Sequence, residues 1–191
     1  MKVVALNGSP RGDSNTAILI RHVFAELQKE GIETEMVSLA GKPLRGCLGC
    51  YKCYINRNRQ CVQTKDALNT YVQKMSEADG IILGSPVFMA SVPSEMKALI
   101  DRAGMVNKAN GGLFRRKVGA AVVAVRRGGM ITAFDTLNHF FLMSEMVVPG
   151  SSYWSFAFGL EKGDVDKDQE GIQTMQVLGQ NMAWLMKKLY G

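Results

Sequence analysis

The run Val3-Val4-Ala5-Leu6-Asn7-Gly8-Ser9-Pro10-Arg11-Gly12-Asp13-Ser14-Asn15-Thr16 leads directly into Ala17, Ile18, Val23, Phe24 and Leu27 at helical spacing. A short β-branched strand thus passes through a hydroxyl-rich turn into an amphipathic helix that stops at Gly31, a C-cap residue. That order is a βα unit whose loop stands at the carboxyl end of its strand, where open parallel sheets bind ligands. The loop has neither the three-glycine spacing of a dinucleotide fingerprint nor the Gly-Lys-Ser/Thr ending of a triphosphate loop. It offers instead the hydroxyls of Ser9, Ser14 and Thr16, the amide of Asn15, the guanidinium of Arg11 and the free N–H groups of a helix start. Dipole and hydrogen bonds together suit such a place to a terminal monophosphate. A helix capped by Ser or Asn accounts for any one of these residues, but less well for the whole run from Asn7 to Thr16.

The same alternation continues outward. Further strands are expected at Glu35 to Leu39, Gly80 to Leu83, Gly119 to Val125 and Met146 to Val148. Helices are expected through Leu68, Val72 and Met75 with Asp66 as cap, and through Met96, Leu99, Ile100 and Ala103 with Ser94 as cap. A fourth runs through Phe134, Leu137, Phe141 and Met146. The last steps from Ile172 to Leu189, with Lys187 and Lys188 opposing the helix dipole. Alternating strands and helices predict an α/β fold, a doubly wound five-stranded parallel sheet with helices on both faces. With 191 residues, 47% of them hydrophobic and 21% charged, the chain suits a single domain spanning 1–191. No apolar stretch reaches the length of a membrane span. Lys2 is followed at once by the first strand, which argues against a signal peptide, and the expected compartment is the cytoplasm.

The net charge of +6 raises the question of nucleic acid. Thirteen of the 23 cations fall in two blocks without a single acid, Met36 to Lys65 and Arg102 to Phe134. They are not interleaved with stacking aromatics, and no nucleic-acid-binding signature accompanies them. An anionic small molecule is the better partner, with a plain solvated face as the bland alternative. His22 and His139 both fall inside helices with no Ser or Cys nucleophile beside them, and are expected to be structural or surface residues.

Two connections are long. Ser151 to Glu170 carries Trp154, Phe156 and Phe158 and then an acidic stretch, and is read as a surface loop or partner contact. Ala40 to Lys65 shows no convincing helix or strand, and unstructured connections of that length are usually functional or disordered. Tyr51, Tyr54 and all four cysteines argue against disorder. The pattern is Cys47-Leu-Gly-Cys50-Tyr-Lys-Cys53, then seven residues, then Cys61. Such thiolates can ligate a [4Fe-4S] cluster, although the usual ferredoxin run has a shorter last gap and a proline after it. Free thiols packing the loop, a four-cysteine zinc site and a disulfide are the other readings.

The chain resembles the flavodoxin-like NAD(P)H-dependent FMN reductases in three places. The first is Gly8-Ser9-Pro10-Arg11-Gly12-Asp13-Ser14-Asn15-Thr16; the second is Gly84-Ser85-Pro86-Val87-Phe88-Met89-Ala90-Ser91-Val92-Pro93 leading into Met96 to Arg102; the third is the turn Arg126-Arg127-Gly128-Gly129. The resemblance implies that Ser9, Arg11, Ser14, Asn15 and Thr16 hold an FMN phosphate. It also implies that Pro86, Val87, Phe88 and Met89 cup the isoalloxazine, and that Arg126, Arg127, Gly128 and Gly129 close over its pyrimidine edge. Within that group the cysteine loop is similar to that of the iron-sulfur flavoproteins, which implies Cys47, Cys50, Cys53 and Cys61 as cluster ligands.

The expected function is transfer of hydride from NADH or NADPH to FMN and of electrons onward to a small acceptor such as a flavin or quinone. No catalytic side chain is needed, because the flavin carries the chemistry. The alternative is an electron carrier between redox proteins, using FMN and a cluster; a flavin-free scaffold is a third. Carriers of the flavodoxin kind are usually acidic, and this chain is basic. The family's flavin sites usually include residues of a neighbouring subunit, which implies a homodimer or homotetramer, with Trp154, Phe156 and Phe158 as candidates to be covered.

Overall fold

The computed structural model describes residues 1–191. Five strands, β1 (Lys2–Asn7), β2 (Glu33–Ser38), β3 (Gly80–Pro86), β4 (Val118–Val125) and β5 (Phe156–Phe158), form one sheet in the order β2-β1-β3-β4-β5. Every pairing is parallel. Parallel strands need covered faces and a crossover between each pair. Helices α1 (Asn15–Lys29) and α6 (Gln169–Tyr190) cover one face, while α3 (Leu68–Glu77), α4 (Ser94–Ala109) and α5 (Met130–Met143) cover the other. Side-chain alternation divides the core accordingly: Val3 and Ala5 join Leu19, Val23, Leu178 and Met182, while Val4 and Leu6 join Leu99, Phe114 and Phe141.

The fold class and the first four strands follow the expectation from sequence. The fifth does not. Met146 to Val148 makes only an isolated bridge, Val147 beside Val118, and the strand is Phe156–Phe158 on Val123 to Val125. The free edge of β4 is therefore covered in two pieces, its start by Val147 and its end by β5. Pro149 and Gly150 follow the first piece and break it off before it can extend. Ser151 to Glu170 is consequently not a plain surface loop: it holds β5 and a 3-10 turn at Asp164–Lys167. Helix α5 ends at Met143, so Met146 belongs to the covering piece.

Smaller corrections concern caps and the long loop. Pro93 occupies the N-cap position of α4, and the Ser94 hydroxyl donates to Glu95 Oε2 at 2.9 Å instead of capping. Within the cysteine loop one short helix, α2 (Lys52–Asn56), forms between left-handed Tyr51 and Arg57. Gly31, with φ of 73°, donates to Gln28 O at the end of α1, as a C-cap glycine does.

Gly119 on β4 faces Phe141 of α5, and a Cβ there would stand 2.7 Å from the Phe141 ring. The absence of a side chain is what lets α5 lie this close to the sheet. Gly119→Ala should therefore destabilise the protein by about 1–3 kcal/mol, the range for overpacking a filled core, measured as a lowered midpoint in urea unfolding.

Candidate functional site

Because all strands run the same way, the loops after β1, β3, β4 and β5 meet at one edge of the sheet. Helix α1 starts at this edge. Ser14 is its N-cap, and the Ser14 hydroxyl accepts from Ala17 N at 3.3 Å. The preceding turn is built from its own side chains: Asn7 Oδ1 accepts from Ser9 N at 3.0 Å and Ser9 Oγ accepts from Arg11 N at 3.2 Å. The main chain of Gly8 is tied to β3 through Gly84 O at 2.8 Å. These bonds make a fixed, left-open cradle in which N–H groups of the helix start remain available.

A cavity of about 230 Å³ opens from this cradle, walled by Ser9 to Arg11 and Asp13 to Thr16 on one side. Its opposite wall is Pro86 to Phe88, with Ala124, Arg126 and the Gly159-Leu160-Lys162 turn closing the rest. Thr16 Oγ1 is buried and has no hydrogen-bond partner. An unpaired buried hydroxyl is costly in free energy, so its place in the wall of this cavity points to a ligand acceptor. Asp13 would repel an anion were it alone. Its carboxylate is held below the ordinary range by the Lys162 bond and by Arg21, so its charge is already countered.

Two features of this wall were hidden in the sequence. Asn15 reaches the turn after β5, its amide donating to Glu161 O at 2.9 Å and its oxygen accepting from Gly163 N at 2.8 Å. Lys162 sits on the same turn and reaches the wall because β5 is Phe156–Phe158 and not Met146 to Val148. The structure brings Ser9, Arg11, Ser14, Asn15, Thr16, Pro86, Val87, Phe88 and Arg126 to one cavity. Met89 stands fully exposed at the tip of a tight hairpin, where Met89 (φ 46°) and Ala90 (φ 59°) are both left-handed. Arg127, Gly128 and Gly129 stay outside the cavity wall, and Gly129 instead packs on that hairpin. Its φ of 85° and the 2.7 Å gap from its absent Cβ to Ala90 Cα both require glycine. His22 pairs with Asp166 at 3.1 Å and His139 is exposed on α5; neither lines the cavity.

The cysteine loop forms a second constellation at the same edge of the sheet, after β2. All four cysteines wall one small cavity of about 20 Å³ and none is in a disulfide. Two are held firmly. Cys53 lies on α2, and Cys61 is clamped by Asn69 of α3, which accepts from Cys61 N at 2.8 Å and donates to Cys61 O at 2.9 Å. Cys47 and Cys50 lie exposed on an open segment, and no three Cys, His, Asp or Glu side chains stand at metal-ligating spacing. Four thiols, the donor set that a cysteinyl cluster uses, thus line one cavity, two of them held in place and two on an open segment. Burial pushes the Cys53 thiol up, and the neighbouring Cys61 and Cys47 add to this against backbone N–H bonds.

Arg102 of α4 anchors this loop from beneath. Its side chain is fully buried and meets Asp66 at 2.5 Å. It also donates to Arg45 O at 3.1 Å, to Gln63 O at 3.0 Å and to Cys61 Sγ at 3.5 Å. Asp66 does serve the start of α3, accepting from Leu68 N at 3.2 Å, but its other oxygen belongs to Arg102. The signal was available: Arg102 falls between Leu99 and Val106 on the buried stripe of its helix.

The order β2-β1-β3-β4-β5, with the hydroxyl-rich cradle at its β1/β3 switch point, defines the flavodoxin-like class of α/β folds. Within that class the chain belongs to the NADPH-dependent FMN reductase family, whose family model matches residues 1–161, and it stands close to the iron-sulfur flavoproteins. It is 39% identical over 194 residues to an iron-sulfur flavoprotein of Methanocaldococcus jannaschii, covering 98% of each chain. An iron-sulfur flavoprotein of Methanosarcina thermophila is 30% identical over 177 residues, covering 92% of this chain and 90% of that one. Among solved structures, RosB with bound 8-demethyl-8-formylriboflavin-5'-phosphate superposes with a TM-score of 0.76 at 18% identity, covering 99% of this chain and 80% of that one. An archaeal flavodoxin gives 0.61 at 16% identity, covering 98% and 99%. At those identities the structural neighbours establish the fold. No helix is long and apolar enough to cross a membrane.

Burial works to raise the Asp66 pKa, but the Arg102 bond and the N–H groups of Arg45 and Leu68 outweigh it and hold the carboxyl below the ordinary range. A depressed carboxyl contributes stability that is present above its unfolded value of about 3.9 and is lost as pH falls through its folded value. Asp66→Ala should cost about 3–5 kcal/mol at neutral pH, because it leaves Arg102 buried and unpaired. Urea unfolding from pH 7 to pH 3 should also show a shallower acid loss in the variant than in the parent.

Proposed function

We propose that the chain is an FMN-dependent oxidoreductase, one domain spanning residues 1–191, that takes hydride from NADH or NADPH and passes electrons to a small acceptor such as a flavin or quinone. The observation that carries this reading is the unpartnered, buried Thr16 hydroxyl in the wall of the β1/β3 cavity. Ser9, Arg11, Ser14, Asn15 and Thr16 would hold the FMN phosphate, with the α1 N-terminus contributing N–H groups and dipole. Asn15 and Ser14 act partly through the frame, since Asn15 ties down the 161–163 turn and Ser14 caps α1. Pro86, Val87, Phe88 and Met89 offer the ring system an apolar wall and an exposed flap. Arg126, Arg127, Gly128 and Gly129 would close over the pyrimidine edge of the ring; Arg126 lines the cavity and Gly129 packs on the flap. When bound, the flavin supplies the hydride-accepting and electron-donating chemistry, so the chain's task is binding, orientation and exclusion of water.

The names of the relatives support a second reading, in which Cys47, Cys50, Cys53 and Cys61 hold a [4Fe-4S] cluster and the protein carries electrons between redox partners. Exposed Trp154 and Phe158 beside buried Phe156 are candidates for cover by a neighbouring subunit in a homodimer or homotetramer. A cytoplasmic, nucleic-acid-free role accords with both readings.

Mixing the flavin-loaded protein with NADH or NADPH under argon should abolish the oxidised-flavin absorbance in the enzyme reading. An electron carrier would leave the absorbance unchanged until a reduced protein donor was added. Thr16→Val separates binding from folding: the hydroxyl has no partner within the protein, so urea stability should hold. FMN affinity should fall by about 1.5–3 kcal/mol for the lost bond to a charged group, read by fluorescence quenching on titration. Unchanged affinity would place the phosphate elsewhere.

A further inference from the structure

Arg102 is a fully buried cation with more donors than its carboxylate can use. Of its five N–H groups, two on Nη1 are taken by Asp66 and Arg45 O, and two on Nη2 by Gln63 O and Cys61 Sγ. The fifth, on Nε, is buried without a partner. Arg102 also forms part of the wall of the cavity that all four cysteines share.

Stability alone is a weak reason for this arrangement. A buried ion pair is often matched or exceeded by apolar residues of the same volume, and an orphaned buried N–H is a further loss. The same groups make sense as electrostatics directed at sulfur. A hydrogen bond to a cysteine ligand and a nearby positive charge stabilise the more negative state of a thiolate-bound centre. Asp66, 2.5 Å away on the other side, opposes that effect and makes the pair a balance instead of a free charge. Cys61 is the right recipient, because Asn69 fixes its main chain on both sides.

We propose that Arg102 is the positioning and potential-setting residue of the cysteine site: it fixes Cys61 and raises the reduction potential of a [4Fe-4S] cluster, with Asp66 as the opposing charge. The inference rests on the cluster reading above. The step it governs is a one-electron reduction, in which the electron comes from the titrant and no bond or proton changes; the electron adds one negative charge beside the guanidinium.

The test is a dithionite titration of anaerobic, iron-replete protein, following the cluster by electron paramagnetic resonance and the flavin by absorbance. Arg102→Gln should make the cluster harder to reduce by about tenfold or more in the one-electron equilibrium, equal to about 59 mV toward negative potential. Asp66→Asn keeps an oxygen acceptor for Arg102 but removes the opposing charge, and should move the potential the other way. Arg102→Lys should lie between Arg102→Gln and the parent. A role confined to holding the loop would loosen it in every variant and could not produce shifts of opposite sign. Shifts in one direction, or none, would overturn the proposal. Should Arg102→Gln fail to retain iron, the sign in Asp66→Asn decides alone: positive supports the proposal, zero or negative overturns it. The flavin couple is the control, since Arg102 does not line its cavity. Parent protein with FMN but no iron would end the cluster reading and this proposal together, whereas an iron-loaded parent with unmoved variants would end only the proposal.

Discussion

A parallel sheet has no hairpins, so every strand of this protein must be returned by a crossover before the next can pair. That requirement wraps both faces in helices and sends every strand-to-helix loop to one edge. The loop after β1 and the hairpin after β3 become the two walls of a cavity, with β4 and β5 closing its far side. None of these segments is near another in sequence. The cradle at Ser9 to Thr16 is therefore a local construction, whereas the cavity it opens into is produced by strand order.

The cysteine loop follows β2, the edge strand beside β1, and so shares that edge without sharing side chains with the cavity at the β1/β3 switch point. A hollow of about 200 Å³ between Gly8-Ser9-Pro10 and Leu39 to Pro43 shares Ser9 and Pro10 with the cradle cavity. The cradle cavity and the cysteine cavity have no wall residue in common. The loop has almost no regular structure of its own, and its order comes from below: Asn69 on Cys61, and Arg102 on Arg45, Cys61, Gln63 and Asp66. Cys47 and Cys50 lie where this support gives out.

The charge pattern changes meaning in three dimensions. Arg102 and Lys117 both belong to a block of cations without acids, and both are turned inward. Lys117 donates to the carbonyls of Ser76 and Ala78, and burial lowers its pKa. The cations of the cysteine loop, Lys42, Arg45, Lys52, Arg57, Arg59 and Lys65, stay exposed. Basic character is thus concentrated around the thiols more than total charge implies.

Local chemistry was readable from the chain itself. The β1 run, the hydroxyl-rich turn and the amphipathic α1 follow from residue spacing, because strand period, capping and helix period act within a few residues. Four of five strands and the α/β order come from the same short-range rules. What sequence could not decide was which of two apolar segments would cover the end of β4. Met146 to Val148 and Phe156 to Phe158 are both short apolar runs, and the choice depends on where Pro149 and Gly150 leave the chain relative to an edge eight residues long. Nor could it show that Asn15 reaches Glu161 and Gly163, or that Arg102 selects Asp66 and Cys61 from across the fold. Those partners lie 36 to 148 positions apart, and a side chain's partner at such separation is set by the packing of the whole sheet, not by its neighbours along the chain.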